Sequence, residues 1–114
     1  MFNKIGVDIT KNCRFESYID NLYKLKKILS DQEIKYLQKV SSSKRKLEFI
    51  ASRFACKEAL FKACNIPFSF NNVSVLNEEN GAPYIVCDFL KTDNVKVSIS
   101  HEEEYSIAFV LINN

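Results

Sequence analysis

The chain has 114 residues, 46% of them hydrophobic and 26% charged, a balance typical of one globular domain and not of a disordered tract. No apolar run approaches the roughly 18 to 20 residues of a membrane span, and Asp8 interrupts the N-terminal stretch where a secretory signal stays apolar. We therefore expect a cytoplasmic protein with a single domain over residues 1–114, whose four cysteines, lacking zinc-site spacing, are reduced thiols.

Charge is unevenly distributed along the chain. Residues 1–64 hold 14 Lys/Arg and 7 Asp/Glu, a net +7, whereas residues 65–114 hold 2 and 7, a net −5, which together return the total of +2. A basic half suits a polyphosphate ligand, an acidic protein or a nucleic acid, although a solvated lysine-rich surface is the commoner meaning of this pattern.

The first predicted element is a strand over residues 2–9. Its side chains alternate, with Ile5, Val7 and Ile9 on one side and Asp8 on the other, as in a strand buried on one face. We therefore expect the three apolar side chains to face the core and Asp8 to point away from it.

Helical segments are predicted next. Near-helical apolar spacing from Phe15 predicts a helix that ends near Ser30, and Ser30 with Glu33 forms a capping-box sequence for a short second helix reaching about Val40. Residues 44–64 contain neither Gly nor Pro and predict the longest helix, with the preceding serines as possible caps. Its predicted core stripe comprises Leu47, Ile50, Phe54 and Phe61.

Strands dominate the second half of the chain. They are predicted at residues 73–76, 84–89, 95–100 and 105–112, and Asn80-Gly81 supplies the positive φ angles of a tight hairpin turn. Helices followed by strands predict an α+β fold, in which helices pack on a largely antiparallel sheet.

Some ionisable side chains fall beside predicted apolar faces. Glu58 and Lys62 have the spacing of a surface ion pair worth a few tenths of a kcal/mol, but a carboxylate beside a buried stripe needs a cation, either Lys62 or a metal. His101 shares the apolar face of its strand, where a lone histidine is more often a packing residue than a catalyst. Two converging carboxylates are what Mg²⁺ requires, and Asp8 is the second candidate.

Four sequence blocks resemble those of the bacterial holo-acyl-carrier-protein synthases, which are phosphopantetheinyl transferases. IGVDIT at residues 5–10 resembles their G-x-D-I strand, and RFACKEALFKA at residues 53–63 resembles their R-F-A-x-K-E-A-x-x-K-A helix. NGAP at residues 80–83 resembles the N-G-K-P turn, and VSISH at residues 97–101, followed by YSIA, is similar to the S-I-S-H strand and its partner. The blocks occur in the family's order and extend over nearly the whole chain.

The resemblance implies the phosphopantetheinyl transferase fold and its reaction. Phosphopantetheine would pass from coenzyme A to a serine of an apo acyl carrier protein, releasing adenosine 3′,5′-bisphosphate, for fatty acid and lipid biosynthesis. Asp8 and Glu58 would hold Mg²⁺, with Mn²⁺ as an alternative, and Lys62 would neutralise or protonate the leaving phosphate. The base that takes the serine proton stays open between Glu58 and a metal-bound water.

The resemblance also assigns binding residues and an assembly. Coenzyme A would be bound by Arg53, Arg45, Lys44, Lys62, Gly81, Pro83 and His101. The acidic carrier protein would dock on the basic first helix through Arg14, Lys24 and Lys27. Family members form homotrimers with an active site between neighbouring subunits. Two departures are a loop at residues 65–72 without glycine and a first helix with lysine where the family often has arginine.

A non-catalytic module that binds RNA or another polyanion through the basic half is the alternative function. Aromatic residues are not interleaved with the basic ones, and no helix-turn-helix or RNA-recognition signature is present. We therefore expect an enzyme with no nucleic-acid or membrane partner, while the altered loop keeps open a transferase fold without turnover.

Overall fold

The computed structural model describes residues 3–113 as helices packed on antiparallel strands. The helices are α1 (Leu22–Ile28), α2 (Asp31–Gln38) and α3 (Ser43–Cys64), with short 3₁₀ helices at Asn12–Tyr18, Phe70–Asn72 and Thr92–Asn94. The strands are β1 (Asn3–Lys11), β2 (Ser74–Asn77), β3 (Pro83–Val86), β4 (Val95–His101) and β5 (Tyr105–Asn113). Across this part of the chain, no helix combines the length and apolar character needed to cross a bilayer.

The strands form two antiparallel sheets. In the larger one β5 is central and pairs with β1 on one side and β4 on the other, while β2 and β3 form a separate hairpin. Gly81 has the positive φ predicted for the hairpin turn, 91°, but Asn80 does not, and its side chain instead accepts a hydrogen bond from the Ala82 N–H. The predicted α+β class is confirmed, with two sheets where one was expected.

Helix α3 is the longest element and lies against β1 and β5. Ser42 caps its N-terminus through a 3.3 Å bond from the Arg45 N–H, and Asn65 ends it in the left-handed conformation at φ 54°. Gly6 of β1 lies so close to α3 that a side-chain carbon there would overlap the Ala59 carbonyl oxygen. Glycine is thus required for this approach of strand and helix.

The predicted core stripe of α3 is only partly right. Ile50 is fully buried and Phe54 is partly buried, but Phe61 is 37% exposed. The reason is that β1, β5, β4 and the first 3₁₀ helix all contact α3, so burial is not confined to one stripe. Lys57, outside that stripe, is completely buried.

The predicted orientation of β1 is wrong. Gly6 is buried against α3, and the Asp8 side chain on the same face is only 16% exposed. The apolar residues of β1 face outward at 61%, 52% and 59% exposure: Ile5, Val7 and Ile9. Their cross-strand partners on β5 continue this surface, here called the apolar sheet face: Leu111, Phe109 and Ile107. Alternation separates two faces of a strand but does not say which one a helix will cover.

The first predicted helix is interrupted in the structure. The 3₁₀ helix ends at Tyr18, and α1 begins only after Asn21, whose side chain accepts a 3.0 Å bond from the Lys24 N–H. As an N-cap, Asn21 has non-helical φ and ψ, which breaks the predicted continuity. The capping box of α2 is confirmed, with bonds of 3.2 and 2.8 Å between Ser30 and Glu33.

The four cysteines are free thiols, as predicted. One of them, Cys56, should make the stability of the protein depend on pH. Burial raises the pKa of Cys56 from 9.0 to about 12. The thiol ionises at a lower pH in the unfolded chain than in the folded protein. Its contribution to stability is therefore present below pH 9.0 and is lost as the pH rises towards 12. We expect urea unfolding to show a loss of roughly 1 kcal/mol between about pH 8 and about pH 10 that Cys56→Ala lacks. Equal slopes in both proteins would contradict this, and Cys13→Ala, at an exposed thiol, is the control.

Candidate active site

Asp8 and Glu58 lie on two elements that pack against each other. Gly6, two residues before Asp8, lies against Ala59, the residue after Glu58. The Asp8 carboxylate faces α3 and accepts a 3.2 Å hydrogen bond from Lys62 Nζ, one helical turn beyond Glu58. Both predicted carboxylates therefore belong to the same contact between β1 and α3.

Lys62 bridges to the strand and not to Glu58. Its Nζ donates to Asp8 Oδ1 and, at 3.0 Å, to the Val7 carbonyl, while half of its side chain stays exposed. Within residues 3–113, the half-buried Glu58 carboxylate has no hydrogen-bond or ion-pair partner. The surface pair that its spacing favoured is therefore absent there, and Glu58 can accept another cation.

The donor set at this contact fits a hard cation that brings further ligands with it. The described part of the chain contains no cluster of three or more His, Cys, Asp or Glu residues suited to a metal. Mg²⁺ commonly binds through one or two carboxylates and takes its remaining ligands from waters and substrate phosphates. Asp8 and Glu58 provide two carboxylates of the kind that such a site uses.

A cleft of about 700 Å³ is lined by residues of α2, α3, β4 and the β2–β3 hairpin. Its lining includes five of the residues predicted to bind coenzyme A: Arg45, Arg53, Gly81, Pro83 and His101. Lys39 adds a third permanent cation, against the single carboxylate of Glu48. This excess of positive charge suits an anionic ligand.

Arg53 is held rigidly in the wall of the cleft. Its guanidinium donates to the Val75 carbonyl at 3.3 Å, to Ser52 Oγ at 3.2 Å and to Asn77 Oδ1 at 2.9 Å. It also lies 4.2 Å from the centre of the Phe49 ring. Burial lowers the pKa of Arg53 below its ordinary value, and the guanidinium remains a cation at neutral pH. A fixed guanidinium loses little entropy when it binds a phosphate.

Other predicted coenzyme A residues lie elsewhere or have unpredicted neighbours. Lys44 lies outside the cleft and pairs with Glu103 at 3.4 Å, where both side chains are exposed. His101 ends β4 at the cleft, with Nδ1 3.8 Å from Glu48 Oε2. Glu48 was not predicted, although it follows Arg45 by one helical turn and so shares its face of α3.

The predicted carrier-protein contacts lie on two elements and not on one helix. Arg14 is in the first 3₁₀ helix, with its guanidinium 4.8 Å from the Phe54 ring centre, whereas Lys24 and Lys27 are in α1. Phe54 precedes Glu58 by one helical turn. Of the three cations, Arg14 is thus linked most directly to the carboxylate contact.

Sequence comparisons point to one family. Residues 4–110 match the family model described as the 4′-phosphopantetheinyl transferase superfamily. The chain is 42% identical over 113 residues to the holo-[acyl-carrier-protein] synthase of Anoxybacillus flavithermus, covering 95% of this chain and 92% of that protein. It is 38% identical over 117 residues to that of Bacillus subtilis, covering 98% and 96%.

Solved structures show the same likeness. A holo-(acyl-carrier-protein) synthase from Bacillus anthracis in complex with CoA (3′,5′-ADP) matches with a TM-score of 0.83 at 31% identity, over 96% of this chain and 94% of that one. The Helicobacter pylori holo-[acyl-carrier-protein] synthase in complex with coenzyme A matches with a TM-score of 0.78 at 29% identity, over 96% and 99%. The likeness in fold therefore extends over nearly the whole of all three chains.

Proposed function

This chain belongs to the 4′-phosphopantetheinyl transferase superfamily, and we propose that it is a holo-[acyl-carrier-protein] synthase. It transfers phosphopantetheine from coenzyme A to a serine of an apo acyl carrier protein and releases adenosine 3′,5′-bisphosphate. The observation that carries this proposal is that Asp8, Glu58 and Lys62 lie at the contact between β1 and α3, while Arg45 and Arg53 of the same helix line a basic cleft. We place the enzyme in the cytoplasm, as one domain over residues 1–114.

The chain's own cations account for binding of the nucleotide. Arg53 and Arg45 hold phosphate oxygens in the cleft, Arg53 through guanidinium hydrogens not used in its protein contacts. Lys62, half exposed and hydrogen-bonded to Asp8, neutralises or protonates the phosphate that leaves. Mg²⁺, or alternatively Mn²⁺, held by Asp8 and Glu58, supplies charge neutralisation at the phosphoryl oxygens when bound.

Attack by the carrier serine requires that its hydroxyl loses a proton. Glu58 is the side chain of this contact that lacks a hydrogen-bond partner in residues 3–113, and it is our candidate acceptor. The acidic carrier protein reaches it by docking on Arg14, Lys24 and Lys27. Proximity of Arg14 to Phe54, one turn before Glu58, supports a docking surface that ends beside the carboxylates.

The apolar sheet face supports the proposed homotrimer. Its side chains, such as Val7 at 52% and Phe109 at 45% exposure, form a contiguous apolar surface that monomeric proteins rarely leave in water. We propose that this face is covered by other copies of the chain. An interface site would also explain how so short a chain binds two large substrates.

Substitution on the apolar sheet face tests the assembly. We expect light scattering after gel filtration to give a trimer mass for the wild type and a monomer mass for Val7→Glu and Phe109→Glu, because an isolated buried carboxylate is not tolerated at an apolar interface. Lys35→Glu, at an exposed position of α2, should stay trimeric. A monomeric wild type at micromolar concentration would contradict the proposal.

Mass spectrometry of a carrier protein tests the activity. The pure protein is incubated with coenzyme A, Mg²⁺ and an apo acyl carrier protein, and the carrier should gain the mass of phosphopantetheine. EDTA should abolish the gain, and a carrier whose acceptor serine is replaced by alanine should show none. An unmodified carrier together with salt-dependent RNA binding would instead favour the polyanion-binding alternative.

A further inference from the structure

A buried ion pair lies behind the cleft, between Glu33 of α2 and Lys57 of α3. Lys57 Nζ is 2.5 Å from Glu33 Oε1, and neither side chain has exposed surface. Lys57 also donates to the Ile28 carbonyl at 2.7 Å. Burying two charges costs desolvation free energy that an apolar pair of similar volume would avoid. The reaction proposed above uses neither residue directly.

Glu33 connects this pair to the strand that borders the cleft. Its Oε2 accepts the Val75 N–H at 2.8 Å, and the Val75 carbonyl accepts a hydrogen bond from Arg53 Nε at 3.3 Å. The N–H and C=O of one strand residue point to the same edge of the strand. Within residues 3–113, β2 pairs only with β3, so Glu33 and Arg53 together occupy its other edge.

Two cations therefore lie near one carboxylate, that of Glu33, at this edge of β2. Arg53 and Lys57 are one helical turn apart on α3 and face the same side. Lys57 bonds Glu33 directly, whereas Arg53 reaches it only through the Val75 backbone. Desolvation lowers the pKa of both cations, and the charge of Glu33 opposes that shift in each. Because the charges of Lys57 and Glu33 neutralise each other, the positive charge of Arg53 remains available to a ligand in the cleft.

We propose that Lys57 is a positioning residue for coenzyme A binding. By neutralising Glu33, it leaves the Arg53 guanidinium directed at the cleft and at the phosphates of the ligand. Without Lys57, the Glu33 carboxylate would pair with Arg53, the other cation at this edge. The guanidinium would then be directed at Glu33 and no longer at the cleft. The inference rests on the proposed function, because it takes coenzyme A as the ligand of the cleft.

Direct titration of coenzyme A, in the presence of Mg²⁺ and without a carrier protein, tests the inference by calorimetry. Lys57→Met should raise the Kd roughly tenfold, the value of one charge-assisted hydrogen bond. The double variant Glu33→Gln/Lys57→Met should return to within about threefold of the wild type, because the competing carboxylate is gone. Glu33→Gln alone should also bind within about threefold, since Arg53 keeps its charge.

A purely structural role for Lys57 predicts a different pattern. The double variant would then bind as weakly as Lys57→Met, and this result overturns the inference, as does a Lys57→Met variant within about twofold of the wild type. Ile112→Ala, which weakens the β5 core away from the cleft, is the stability control and should bind normally.

Two further outcomes are distinguished by the same titrations. If circular dichroism shows that Lys57→Met is unfolded, the test rests on the Kd for coenzyme A of Glu33→Gln and of the double variant. A Kd raised more than about threefold in either variant overturns the inference. A folded wild-type protein that does not bind coenzyme A overturns the proposed function itself, and the inference with it.

Discussion

Replacing Asp8 by Asn or Glu58 by Gln is expected to lower the rate of carrier-protein modification by roughly 10²- to 10³-fold. Each amide keeps the shape of the side chain but removes the negative charge that, in our proposal, holds a divalent cation. Neither substitution should unfold the chain, because Asp8 pairs with a half-exposed lysine, Lys62, and Glu58 makes no hydrogen bond or ion pair within residues 3–113. Initial rates by mass spectrometry and melting curves by circular dichroism measure the two effects.

The two amide variants also separate a metal role from a role in positioning. If the carboxylates hold the cation, a large excess of Mg²⁺ should recover part of the rate lost in Asp8→Asn, whereas misplacement of Lys62 would not respond to metal. Asp88→Asn, an exposed carboxylate outside the site, should keep full activity. Normal turnover in both Asp8→Asn and Glu58→Gln would exclude the proposed metal site.

Lys57→Met is expected to lower the free energy of unfolding by about 3 to 5 kcal/mol. The loss arises because the Glu33 carboxylate, which has no exposed surface, would stay buried without the cation that bonds it. That is a large part of the roughly 5 to 15 kcal/mol typical of a domain. Urea denaturation followed by circular dichroism measures it, and Glu33→Gln/Lys57→Met should recover much of the loss.

Lys62→Met is the matched control for this stability effect. Lys62 is on the same helix and also pairs with a carboxylate, Asp8, but its side chain is 52% exposed. An exposed pair contributes at most about 1 kcal/mol because water solvates both charges. If the two lysine variants lost equal stability, burial of the Glu33 and Lys57 pair would not explain its contribution.

Local signals account for the elements that were predicted correctly. The long helix at residues 44–64 follows from the absence of Gly and Pro and from serine caps, and the capping box of Ser30 and Glu33 is a pattern of four neighbouring residues. Apolar spacing alone does not indicate the break at Asn21, because that break depends on a single capping side chain. Signals that depend only on nearby residues thus determine these elements.

The orientation of β1 could not be obtained from alternation alone. Three apolar side chains on one face favour burial, yet α3 covers the opposite face, where Gly6 lacks the side chain that would prevent contact with Ala59. The signal that could have indicated this was a glycine on a strand together with a run of small residues on the long helix, Ala55, Ala59 and Ala63.

The candidate site was predicted to a different extent for different residues. Asp8, Glu58 and Lys62 were assigned by resemblance, and the structure brings Asp8 and Lys62 into contact. The buried pair of Glu33 and Lys57 was missed because the two residues are 24 positions apart and Lys57 is one of many lysines. Only three-dimensional packing distinguishes it from the exposed ones.

Helix α3 carries both halves of the site, from Arg45 in the cleft to Lys62 beside Asp8. This one helix therefore sets the spacing and the rotation between the arginines that line the cleft and the contact with Asp8. Adding one residue between Arg53 and Glu58 would turn one end about 100° relative to the other. A change of length beyond Asn65, where α3 ends, does not alter this spacing, so the glycine-free loop at residues 65–72 leaves it unchanged.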